Sequence, residues 1–177
     1  MSKKIIGVFI FFFAFSIAHA QSVLKRDLLI NKSTKIKKGN YNLEAYDSLS
    51  RSVLVIEGNN VTVDFGNAVL NGNTKNQLPD QFHGVAIIVR NGRNITIKNL
   101  TARGYKLAVI ARNVEGLKIE NCDFSYNYRQ HLNSTQEKED ISDWLSHHHN
   151  ENDECLRYGA AIYMSAAPPK RVASSRS

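Results

Sequence analysis

The sequence predicts an all-β chain wound as a solenoid, and three observations predict it. One sentence is written three times between Val53 and Asn127: VLVIEGNNVTVDFGNAVLNG (Val53 to Gly72), GVAIIVRNGRNITIKNLTARG (Gly84 to Gly104) and YKLAVIARNVEGLKIENCDFSYN (Tyr105 to Asn127). Each copy holds an apolar β-branched run, a turn rich in Asn or Gly, a second run and another such turn. The second run alternates strictly, as in Val61-Thr62-Val63-Asp64-Phe65, Ile95-Thr96-Ile97-Lys98 and Leu117-Lys118-Ile119-Glu120. One face therefore meets a core and the other meets water. Finally, the copies keep register: Ile95 and Leu117 lie 22 residues apart, and Asn99 and Asn121 coincide at a turn, where they would form an asparagine ladder. Repeats of about this length, made of short strands and tight turns, stack as coils. A β-sandwich with regular strand spacing is the alternative, but it has no need of in-register copies.

The elements follow in chain order. Met1 to Ala20 reads as a secretory leader, with Lys3 and Lys4, an apolar run from Ile5 to Ala18 and the cleavage site Ala18-His19-Ala20. The apolar run is too short to span a bilayer comfortably. The expected product is secreted or periplasmic, with no stable membrane anchor once the leader is cut. The whole chain carries +7, and loss of Lys3 and Lys4 would leave about +5. Gln21 to Tyr46 should lead in and cap the first coil, with Leu28-Leu29-Ile30 and Ile36 as a short strand pair. The nearly all-apolar runs Ala86 to Val89 and Leu107 to Ala111 suit strands covered on both faces.

Two insertions, residues 73–83 and 128–157, leave the same corner of the repeat. They would wall the coil between them, and loops on one face of a rigid solenoid are where such proteins bind. In the longer one, Ser134-Thr135-Gln136-Glu137 reads as a capping box, and Ile141, Trp144 and Leu145 make an apolar stripe. Together they predict a helix over about 135–148. A fourth copy opens at Tyr158, where GAAIYM matches GVAIIV, and the pattern stops after Met164. Residues 165–177 carry two prolines and no alternation, so the expected domain is 21–164, and the chain is expected to be the amino-terminal piece of a larger solenoid of which it holds three to four coils.

With the repeats goes the segment Lys37-Lys38-Gly39-Asn40-Tyr41-Asn42-Leu43. Together they resemble the right-handed parallel β-helix family, of the pectate-lyase-like and periplasmic copper-repeat kinds, from Leu28 to about Met164. The resemblance implies a carbohydrate-active protein, with lyase chemistry ahead of hydrolysis. In β-helix polysaccharide lyases a Lys, Arg, Tyr or His is the base and a cation neutralises the uronate.

Candidate sites rest on register. His83, Tyr105 and Tyr158 match at the insertion corner on successive coils, and a His/Tyr column suits sugar stacking or acid–base work. Arg129 and His131, at the start of the long insertion, are further catalytic candidates. Glu57, Arg90 and Arg112 fall in one column if a turn slips by one residue. Like charges at strand spacing need an offset: Glu57 for one and an acidic ligand for the other. On the expected helix, Glu139, Asp143 and His147 share a face and could hold a divalent cation, although no cofactor is required. The bland readings are a packed corner, an ion-pair ladder and a solvated helix face. A polysaccharide is the expected partner, and the mildly basic balance would also suit an acidic one. Basic residues are scattered without an aromatic platform, which argues against nucleic acid. A non-catalytic surface module and a metal-handling periplasmic protein are the alternatives in other classes. Cys122 takes the place of Leu100 in the repeat, hence inward, either as a free thiol or bridged to Cys155.

Overall fold

A computed structural model describes residues 21–141 and 159–165. Among the described residues, eight strands form one strongly curled sheet in which every pair is parallel: β1 (Leu28–Ile30), β2 (Thr34–Lys35), β3 (Asn40–Asn42), β4 (Ser52–Asn59), β5 (Thr62–Asn71), β6 (Val85–Arg103), β7 (Leu107–Glu120) and β8 (Ala160–Ser165). This architecture is compatible with a β-helix-like solenoid.

The register follows the repeat. Leu54, Ile87, Val109 and Ile162 stack in one column, and Thr62, Thr96 and Lys118 in another. Glu57 pairs with Arg90 and Arg90 with Arg112, and the β4–β6 register shifts by one residue immediately after Glu57. The slip needed to align that charged column is therefore a real bulge, which adds a residue to one strand and bends it.

Inward positions form the core. Val61, Val63 and Phe65, then Ile95 and Ile97, are buried, while Thr62, Asp64, Thr96 and Lys98 between them reach solvent. On the other face of the first runs, Val85, Ile88, Leu107 and Ile110 make a second buried cluster, against which Leu49, Ala160 and Tyr163 pack. That is why these runs carry no polar alternation.

The turns belong to asparagine. Asn60, Asn91, Asn94, Asn99, Asn113 and Asn121 all have φ between 48° and 58°. Asparagine tolerates this left-handed region better than other side-chain-bearing residues, because its short amide bonds locally. Stacking then turns each site into an amide ladder. Asn94 Nδ2 donates to Asn60 Oδ1 (3.1 Å), Asn113 Nδ2 to Asn91 Oδ1 (3.3 Å) and Asn121 Nδ2 to Asn99 Oδ1 (2.8 Å). The last ladder ends on a carboxylate, since Asn99 Nδ2 donates to Asp64 Oδ1 at 2.8 Å.

Two expectations are corrected. Leu28–Ile30 does not pair with Ile36: β1 stacks on β4, whereas Ile36 bridges Ser22 and lies beside β5, because the lead-in already turns the coil's corner. The expected helix does not begin at Thr135. Ser134 Oγ accepts from Asp140 N at 2.8 Å, six residues on, and Thr135 N donates to Lys138 O at 2.7 Å, which closes a tight turn instead of a helix start. No α-helix occurs among the described residues. Trp144, Leu145 and the remainder of the expected helix lie outside them. The 73–83 insertion is a loop with one short 3-10 turn, Pro79–Gln81.

Candidate functional site

Three surfaces collect the functional side chains. The first is a groove of about 480 Å³ lined by Asp47, Ser48, Leu49, Ser50, Gly84, Lys106 and Arg112. The polar connector 47–51 becomes one wall because Leu49 packs on the outer apolar cluster and Leu49 O accepts from Arg112 Nη2 at 3.3 Å. Gly84 lets the connector approach. Its φ is +68°, and a Cβ there would lie 2.2 Å from Tyr46 O. Within the column the two arginines differ in state. Arg90 Nε sits 3.0 Å from Glu57 Oε2, whereas Arg112 bonds a backbone carbonyl and lines the groove. Lys106 supplies a second cation, its Nζ 5.3 Å from the Tyr128 ring centre. Asp47 is the single carboxylate among the described lining residues.

The second surface joins the two insertions. Arg129 N donates to Pro79 O at 3.3 Å, and Phe82 meets Tyr126 edge to face at 5.7 Å. Between the loops lies a pocket of about 350 Å³ lined by Leu78, Pro79, Asp80, Arg129, Gln130, His131 and Leu132. The insertions thus meet over the Gly104–Tyr105 corner, and Arg129 and His131 share one pocket.

The third is an unforeseen cluster. Glu44 Oε1 takes Lys75 Nζ at 2.9 Å and faces His83 Nε2 at 3.8 Å. The Lys75 hydrogen bond holds the Glu44 carboxyl below the usual carboxylate range. His83 is 27% exposed there, beside the carboxylate but beyond hydrogen-bond distance of it. Nothing local announces this cluster, since Glu44 lies 31 residues from Lys75.

Tyr105 occupies the register position of His83 but not its environment. It is fully buried, and its hydroxyl donates to Leu43 O at 2.8 Å. Burial pushes its pKa far above the ordinary tyrosine value, so it packs the corner as a neutral side chain. Tyr158, Asp143 and His147 lie outside the described residues. Glu139 is exposed, and no group of three His, Cys, Asp or Glu side chains able to hold a metal occurs among the described residues. Cys122 is a half-buried free thiol whose pKa is raised by desolvation. It packs against the core as the repeat requires, and Cys155 lies outside the described residues.

No protein-family model, curated protein or solved structure matches this chain.

Proposed function

We propose that the chain is an exported right-handed parallel β-helix of three to four coils that binds an acidic polysaccharide in the groove between residues 47–50 and β7. The observation that carries this reading is the unequal treatment of the two stacked arginines: Glu57 neutralises Arg90, while Arg112 and Lys106 line an open groove with the Ser48 and Ser50 hydroxyls. A uronate carboxylate would supply the missing countercharge to Arg112 in bidentate fashion, and the serine hydroxyls would meet ring hydroxyls. If the groove is catalytic, it favours elimination. Glycoside hydrolysis uses a pair of carboxylates, and Asp47 stands alone among the described lining residues. His83 beside Glu44, and Arg129 with His131 between the loops, are the solvent-accessible base candidates, and they lie on the two other surfaces, not among the groove's lining residues.

Affinity electrophoresis in gels containing polygalacturonate tests the binding. Retardation that falls with added salt and is lost in Arg112→Ala, but kept in Arg90→Ala, supports the reading. Equal migration with and without the polymer overturns it. Growth of ultraviolet-absorbing unsaturated ends in the same mixture distinguishes a lyase from a binding module.

A further inference from the structure

We infer that the β8 end of the stack is a self-association surface, joined to a second copy of this chain by antiparallel pairing of β8 with its twin. The argument starts from columns. Leu54, Ile87 and Val109 are fully buried, and the next member, Ile162, is 38% exposed. In the neighbouring column, Ile56, Val89 and Ala111 are buried, and Met164 is 61% exposed. These columns are buried in the earlier strands, and among the described residues no strand stacks beyond β8 to close the core at this end. Leu117, Cys122 and Phe124, only partly buried, pack against the core in the last full coil.

Composition says what covers it. Each earlier coil places a charge at the same outward position: Glu57, then Arg90, then Arg112. The column ends on Ser165. Such charges on a strand are the usual guard against edge pairing. β8, AAIYMS, has no charge, no proline and no glycine. Within β8 itself no charged side chain stands against the approach of a second copy. Under antiparallel pairing about a two-fold axis, side chains keep to their faces only in registers that set like-facing residues opposite. Placing Ile162 opposite Met164 of the second copy does so, and sets Ser165 opposite Ala161. Both exposed inward side chains are then buried against each other, and the interface is isologous, hence closed at two copies.

Sedimentation velocity on the purified chain over a wide concentration range provides the test. A monomer–dimer equilibrium is expected. Met164→Leu should keep it, and Met164→Lys should weaken it by on the order of a hundredfold, since an ammonium would enter an apolar junction. Ser165→Arg restores the charged column on the outer face without touching the core, and should weaken it on the order of tenfold, as a charge on an edge strand does. Far-ultraviolet dichroism reports folding of each variant, and Ser165→Arg decides the matter if Met164→Lys unfolds. A monomer at every concentration, an open series of larger species, or a dimer indifferent to both charged variants would overturn the inference.

Discussion

The two ends of the stack solve the same problem in opposite ways. At the amino-terminal end, Leu24, Ile30 and Ile36 are buried, and Ser22 pairs with Ile36 to close the last layer. Outside them Tyr46 is held between two guanidinium groups, Arg26 at 3.7 Å and Arg51 at 3.6 Å from the ring centre, while its hydroxyl donates to Asp27 Oδ2 at 2.6 Å. At the other end β8 lays down a new layer in which Ile162 and Met164 are exposed, and among the described residues no further strand covers it. A layer's stability therefore comes from its two neighbours more than from its own residues, and a layer with one neighbour holds surplus apolar surface.

The sharpest way to break this comparison is truncation at both ends. Ile36→Ala should destabilise by about 2–5 kcal/mol, as expected for a fully buried aliphatic side chain. Met164→Ala, at 61% exposure, should cost less than about 1 kcal/mol in dilute solution. Equal losses in urea unfolding would show that the ends are packed alike. Next comes Tyr105→Phe in the middle of the stack, which strands the Leu43 carbonyl and should cost about 1–3 kcal/mol. A cost near zero would mean that water replaces the hydroxyl.

The smaller effects are pH-dependent and separate the ladder from the cap. The Asn99 amide, followed by the Gly66 N–H, holds Asp64 below its ordinary value. A depressed carboxyl contributes stability that is present above its unfolded pKa and lost as pH falls through the folded one. Asn99→Ala should raise the Asp64 pKa in a carboxyl-detected NMR titration and flatten the acid limb of the stability curve; an unmoved titration would show that the ladder does not bind the carboxylate. The hydrogen bond to Asp27 raises the pKa of Tyr46. Here the sign reverses, and the contribution is present below the ordinary tyrosine pKa and lost as pH climbs through the folded value. Asp27→Asn should bring the Tyr46 titration back down, with a barely altered melting temperature because the site is at the surface.

Much of the fold was legible because the repeat encodes it twice, once in alternation and once in register. Val61, Ile95 and Leu117, the Glu57–Arg90–Arg112 column with its one-residue slip, and the Asn99–Asn121 ladder could all be read by counting. The 134–141 segment could not. A capping box is a local pattern, and here the Ser134 hydroxyl serves Asp140 instead. Tyr105 shows a related limit: equal register fixes the backbone position it shares with His83, while side-chain size and the neighbouring loops decide that its ring turns inward. The Glu44–Lys75–His83 cluster and the Lys106 side of the groove depend on where loops cross, which no period in the sequence reports.

The amide ladder has one more consequence, for growth by duplication. Asn121 donates to Asn99, and Asn99 donates to Asp64, so every dipole in the column points the same way and the chain of donors ends on a negative charge. The column has a grammar. A coil stacked beyond Asn121 must offer a donor at this position, which asparagine, serine or threonine supplies. A copied aspartate would confront the Asn121 carbonyl oxygen with a second acceptor. The carboxylate can stand only at the start of the ladder, and lengthening such a stack strand by strand is therefore a one-way process.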